Sequence, residues 1–265
     1  MNRLIFIIIS ILIFNIGILQ TKDLLFKPLI ANPIESRVGA FYQFENDKLR
    51  LDIGNSFDLA DIYNNDSTEI RVGADFMTFT RLRSEGRMKF PVETTDYYFG
   101  LNTSFKTSLF CKEFYVRLRL GHISAHLIDG WYDIKNSEIE IPVYSQEFVD
   151  LVVAVNLDDI RFYFGGNLVF STIPDNINIF SPQIGFDYDK PINNNISLSM
   201  GLDLKLLGQN NNYNQAISFQ GGFNFKTNRN LSVFFGYYFY KGQSIHGMFY
   251  DENDIYNGLG FQFNF

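Results

Sequence analysis

Residues 112–127 read KEFYVRLRLGHISAHL, and every second side chain is of one kind. Phe114, Val116, Leu118 and Leu120 fall on one side of an extended chain; Tyr115, Arg117, Arg119 and Gly121 fall on the other. Side chains that alternate with period two belong to a β-strand with one apolar and one polar face. The same pattern returns near both ends of the chain. Leu259, Phe261, Phe263 and Phe265 oppose Gly258, Gly260, Gln262 and Asn264, and Tyr97, Phe99, Leu101 and Phe105 oppose Asp96, Tyr98, Asn102 and Ser104.

Twelve segments alternate in this way, at about 36–45, 49–59, 68–80, 95–107, 112–127, 143–156, 159–171, 179–189, 195–206, 215–226, 230–242 and 255–265. Ten or fourteen strands remain alternatives, because 36–59 and 81–94 parse ambiguously. Their length suits tilted strands of roughly 9–11 residues crossing a bilayer. Connections alternate between short turns (157–158, 189–194, 227–229) and mostly longer loops (81–94, 128–142, 207–214, 243–254). Short turns at one end and long loops at the other belong to outer-membrane barrels.

Composition agrees. The chain has 265 residues, 29 Phe and 15 Tyr, and only one Trp. The run Tyr237-Tyr238-Phe239-Tyr240 reads as an interfacial aromatic girdle. Net charge is −7, which argues against a nucleic-acid partner. Cys111 is single, so no disulfide forms within the chain. Residues 1–20 hold Arg3 followed by the apolar run Leu4 to Leu19, a secretory signal peptide cut near Gln20, with an uncleaved anchor as the alternative. Residues 21–35 then form a short periplasmic lead, and 36–265 the barrel. The expected fold is all-β: one antiparallel transmembrane β-barrel of about twelve strands in the bacterial outer membrane. The alternative is a soluble periplasmic β-sandwich or lipocalin-like barrel, with its apolar faces turned inward.

An even number of strands fixes directions. The ending Gly260 to Phe265, alternating aromatics with a terminal Phe, resembles the C-terminal signal read by the barrel-assembly machinery, so Phe265 is placed at the periplasmic end. Segment 112–127 then rises to the cell surface and 143–156 descends. His122, Ser124 and His126 share parity with Leu118 and Leu120, so they face lipid near the outer boundary. Pairing Leu120 with Val149 and Leu118 with Leu151 sets His122 beside Glu147 and Ser124 beside Ser145. A hydroxyl, an imidazole and a carboxylate in that order are the parts of an activated nucleophile. Ser124 is the candidate nucleophile, His122 the base and Glu147 the orienting group, with His126, Ser145 and Asp129 around them. Interface residues that bind lipopolysaccharide headgroups, or a cluster turned inward by a bulge, are the alternatives. A metal held jointly by His122 and His126 is not expected, because four residues along a strand span about 13 Å. No cofactor is implied. Arg117, Arg119, Asp150 and Asp203 take the opposite parity and line the lumen. The loop Arg81 to Lys89 is basic, which suits lipopolysaccharide phosphate or plain solvent. His246 could approach His126 only if its loop folds over.

The His-x-Ser pair aimed at lipid resembles outer-membrane phospholipase A and the lipid A deacylase barrels. That resemblance implies acyl-ester hydrolysis on phospholipid or lipid A, with the three roles just given. Outer-membrane phospholipase A follows its serine with Asn and Gly, where this chain has Ala125 and His126, so the oxyanion donor has no assignment. Over most of its length the chain also resembles a bacterial family known as domain of unknown function 1207. The resemblance rests on Leu25 to Pro33, the segment 121–130, Tyr144-Ser145-Gln146-Glu147 and the stretch from Phe239 to Phe265. The family pattern H-x-S-S-H-L-G-D-E is met by His122, Ser124, His126, Leu127 and Asp129, and is left at Ala125, Ile128 and Gly130. It implies a barrel and carries no activity. A non-enzymatic structural barrel or a small pore is the competing function.

Overall fold

The computed structural model describes residues 23–110, 112–132, 143–227 and 231–264, and only the backbone of Asp129 and Tyr132. The expected signal peptide, Cys111, most of the loop 128–142 and Phe265 lie outside the described residues.

Twelve strands close into one barrel in which every neighbour is antiparallel. They are β1 (Val38–Gln43), β2 (Lys48–Asn64), β3 (Thr68–Arg83), β4 (Val92–Leu109), β5 (Lys112–Leu127), β6 (Tyr144–Leu157), β7 (Ile160–Ile173), β8 (Phe180–Pro191), β9 (Ile196–Gln209), β10 (Asn212–Lys226), β11 (Ser232–Gln243) and β12 (Asn253–Asn264). All twelve alternating segments are strands, and β1 pairs with β12 to close the sheet. Closure leaves no edge, so every backbone group can find a partner where no water is available.

Parity decides which side meets lipid. On β5 and β6, Leu118, Leu120 and Leu151 are 45%, 52% and 44% exposed, whereas Arg117 and Arg119 are 2% and 4%. Apolar residues coat the outer wall and charged ones fill the interior, the inverse of a soluble barrel. Gly121 continues the inward row. A side chain there would meet the Phe148 ring and the Tyr98 hydroxyl, both 2.8 Å from the position of a Cβ. Glycine at 121 thus lets two large rings lie flat against the inner wall.

The lead departs from expectation. Residues 23–37 do not wait outside the barrel; they run into its lumen. Leu25, Phe26, Leu29, Ala31, Asn32 and Glu35 are all buried. Glu35 accepts hydrogen bonds from Arg117 (2.6 and 3.0 Å) and from Arg119 (3.0 Å), and the Arg117 guanidinium lies 4.6 Å from the Phe26 ring centre. Arg161 donates to the carbonyls of Lys27 and Pro28, both at 2.8 Å, and Arg50 to that of Pro33. Lys205 donates to Asn32 Oδ1 at 2.8 Å. The internal network expected for Arg117, Arg119, Asp150 and Asp203 exists. Arg119 also meets Asp75 at 3.2 Å, Asp150 lies 3.7 Å from Arg117, and Asp203 accepts from Tyr163 at 2.8 Å. The lead divides the remaining space. A cavity of about 140 Å³ faces the long-loop end against Asn32, Pro33 and Ile34, and one of about 450 Å³ opens at the short-turn end against Asp23, Lys27 and Arg37.

Two further expectations are corrected. Residues 207–214 are not a loop: β9 and β10 run on to a two-residue turn at Asn210 and Asn211, with φ of 52° and 62°. Asparagine tolerates that left-handed backbone, which matches the twist of a hairpin. The aromatic run on β11 splits by parity. Tyr237 faces outward, while Tyr238 and Tyr240 join Phe41 and Tyr256 in a cluster inside the lumen. In the basic loop, two carboxylates meet three of the cations. Arg81 pairs with Glu93 at 2.8 Å, Arg83 with Glu85 at 2.5 Å, and Lys89 with the same Glu85 at 2.5 Å.

The loop after β11 folds over the long-loop mouth. His246 is buried, its Nδ1 lies 2.7 Å from Asp96 Oδ2, and Gly247 N–H donates to Asp96 Oδ1 at 2.7 Å. Phe249 rests on the Arg81 guanidinium at 3.5 Å and against Trp131. Gly247 lies against Tyr144, whose ring comes within 2.2 Å of where a Cβ would stand, so only glycine lets the loop seat this deeply.

Two outcomes follow from the filled lumen. In planar bilayers the full chain should give no stepwise conductance, and a variant lacking residues 23–35 should open channels; steady openings by the full chain would contradict a plugged lumen. Glu35→Ala leaves two buried guanidinium groups without their shared carboxylate. It should cost about 3–5 kcal/mol, read as a lowered urea midpoint for the barrel in detergent micelles.

Candidate functional site

Strand β5 carries the candidate residues on its outer face above the leucines. His122, Ser124 and His126 alternate with the buried Ile123 and Ala125, which face the lumen. A bulge that turns the cluster inward is thereby ruled out. The register across β5 and β6 sets His122 opposite Glu147 and Ser124 opposite Ser145, as the sequence pairing requires. Across β4, Phe99 stands opposite His122 and Tyr97 opposite Ser124.

His122 Nδ1 and Glu147 Oε1 are 2.9 Å apart. An ionised carboxylate only accepts, so the imidazole Nδ1–H is the donor and Nε2 keeps its lone pair. Ser145 Oγ–H reaches the same Glu147 oxygen at 3.4 Å, a marginal length. Ser171 on β7 stands opposite Glu147, next to a register shift between Glu147 and Phe148. The side chains of His122 and Glu147 are 43% and 34% exposed. The pair therefore sits exposed on the outer surface of the wall. His126 is exposed, and its ring lies edge-on to Tyr97 with centres 5.8 Å apart. His122 and His126 thus turn to different neighbours. Among the described residues, the Ser124 hydroxyl has no hydrogen-bond partner. Hydrogen bonds of this kind are often long in the free protein and tighten on substrate. The side chain of Asp129 lies outside the described residues.

Sequence reasoning missed Tyr97 as a neighbour of the cluster. Its signal was present, since Tyr97 shares parity with Phe99 and Leu101 and lies on the strand before β5. It missed Asp96 as the partner of His246 because the two are 150 residues apart.

The match that places the chain covers residues 10–265. The chain belongs to the family described as Protein of unknown function (DUF1207). No curated protein matches it in sequence. In structure it is similar to outer membrane phospholipase A from Escherichia coli, with a TM-score of 0.58 and 12% identity over 86% of this chain and 92% of that one. An active-site mutant of the same protein gives 0.60 and 13% over 92% and 95%. The Salmonella typhi outer membrane phospholipase, described as a dimer with bound calcium, gives 0.59 and 14% over 88% and 94%. At such identities the likeness establishes the DUF1207 chain as an outer-membrane type of barrel and leaves its chemistry to its own residues.

The carboxylate should fix the imidazole tautomer. With ¹⁵N-labelled histidine in micelles, His122 is expected to show a protonated Nδ1, and Glu147→Ala to shift the population toward protonated Nε2. An unchanged His122 spectrum in the variant would mean the contact orders nothing.

Proposed function

We propose that the protein is a bacterial outer-membrane acyl-ester hydrolase acting on phospholipid or lipid A, with Ser124 as nucleophile, His122 as base and Glu147 as the group that orients it. The reading rests on one observation: the His122–Glu147 hydrogen bond stands on the lipid-facing wall, one residue pair from Ser124. The long-loop end would face the cell surface and β12 would end at the periplasm, where Phe265 engages the assembly machinery. The cluster then lies at the outer boundary, where ester carbonyls of outer-leaflet lipids meet headgroups.

The chemistry balances with these groups alone. Ser124 Oγ adds to the acyl carbonyl carbon while its proton passes to His122 Nε2. The carbonyl oxygen takes the negative charge. The ester C–O bond breaks, and the departing alkoxide takes the proton from His122, leaving an acyl-serine. Water, deprotonated by His122, releases the fatty acid and restores the hydroxyl. Glu147 stays ionised and stabilises the imidazolium in both halves.

A second reading is a structural barrel whose His, Ser and Glu hold lipopolysaccharide headgroups. It draws on the absence of a bond between Ser124 and His122 among the described residues.

The test uses the full chain refolded in micelles with phospholipid or lipid A, scored by lyso-product and fatty acid. Ser124→Ala and His122→Ala should each remove at least about 10³-fold of the rate, and Glu147→Ala less, as orienting groups do in other triads. Product release by wild type that Ser124→Ala leaves intact would sink the hydrolase and favour the structural barrel.

A further inference from the structure

We propose that the oxyanion formed at Ser124 is held by two side chains, the imidazole N–H of His126 and the hydroxyl of Tyr97; this rests on the hydrolase reading above. The need comes from the sheet. Residues 122–125 are paired on both sides, to Phe99 through Asp96 on β4 and to Glu147 through Tyr144 on β6. Their backbone N–H groups are committed to the ladder, so this stretch of strand has none to offer a developing alkoxide. A site that lacks backbone donors must take them from side chains, and Tyr and His both serve.

The placement is specific. Along β5, residues two apart stand roughly 6.6 Å apart at Cα, so His122 and His126 flank Ser124 from below and above on one face. Across the strand pair, Tyr97 is the direct partner of Ser124, with Cβ atoms roughly 4.5–5.5 Å apart in such pairs. His122 turns toward β6, where Glu147 holds it. His126 lies against Tyr97 on the β4 side instead, with ring centres 5.8 Å apart and planes at 61°. The base thus stands on one side of the hydroxyl and the two donors gather on the other. A tetrahedral centre on Ser124 Oγ would send its leaving alcohol toward His122 and its oxyanion toward His126 and Tyr97. A neutral imidazole carries an N–H in either tautomer, and the phenol carries its own. Neither residue serves the fold as a buried anchor: His126 is exposed and Tyr97 half-buried.

The full chain in micelles is assayed two ways: phosphonylation of Ser124 by a fluorophosphonate, which forms a P–O bond and expels fluoride, and turnover of phospholipid under saturating substrate. His126→Ala and Tyr97→Phe should each lower kcat by roughly 10- to 10²-fold with KM unchanged, and the double variant by about 10³-fold. His126→Gln, which retains an N–H, should recover most of the loss, and His126→Met, of similar bulk without a donor, should not; a purely packing role would not distinguish Gln from Met. Heat-modifiable migration on gels verifies that each variant is a folded barrel. If wild type labels at Ser124 and turns over lipid while the double variant keeps kcat within twofold, the donors are elsewhere and the inference falls. If wild type neither labels nor turns over, the hydrolase reading falls first and takes the inference with it.

Discussion

Two guanidinium groups project from neighbouring inward positions of one strand into the lumen, and one carboxylate is shared between them. Arg117 and Arg119 both bind Glu35, which arrives from the lead and not from the wall. An uncompensated charge in such surroundings is expensive, so the lead and β5 are tied together. Alternation then transmits the constraint through the wall. With Arg117 and Arg119 inward, Leu118, Leu120, His122, Ser124 and His126 must face outward. A one-residue slip would move every one of them to the other side. The ion network inside and the candidate site outside are thus two readings of one register.

The interior is mostly polar, which is unusual only by the standard of soluble domains. A soluble barrel gains stability by burying apolar side chains. Here the apolar residues stand on the outer wall, as in outer-membrane barrels, and the lumen is left to groups that must satisfy each other. The lead supplies what the wall lacks. It brings carbonyls to Arg161 and Arg50, an amide oxygen to Lys205 and an apolar ring to Arg117. It also contributes Phe26 and Leu29, which pack with Val152, Ala154 and Tyr163 in an apolar cluster. Replacing such a network by well-packed apolar residues would be neutral or favourable in many proteins. Its presence here gives the lead a defined seat and a defined direction.

Much of the barrel was legible because strand alternation is a local property. Twelve segments follow from period two alone; the outward leucines and the lumen arginines needed the outer-membrane pattern beside it, because alternation does not by itself tell inside from outside. The pairing of His122 with Glu147 followed from matching Leu120 to Val149 and Leu118 to Leu151 across one hairpin. What stayed hidden depends on partners far apart in the chain. Residues 23–35 have no periodicity, and Glu35 reads as a solvated acid until the two arginines more than eighty residues later are set beside it. His246 likewise reads as a loop histidine until Asp96 is opposite it. The stretch 207–214 misled for another reason: its asparagines suggest a loop, while their tolerance of left-handed backbone lets two of them close a hairpin outright. Tyr97 is hard to see because it comes from β4, the strand before β5, whereas the acid that pairs with His122 comes from the strand after it.

The threaded lead has a consequence for how the molecule is put together. Residue 37 leads straight into β1, and β1 is one of the two strands that form the final seam with β12. A segment lying across the lumen, gripped from several strands at once, passes through a finished cylinder only end-on. The order of events is therefore constrained: the lead takes its place while the sheet is still open, and the pairing of β1 with β12 shuts the wall around it.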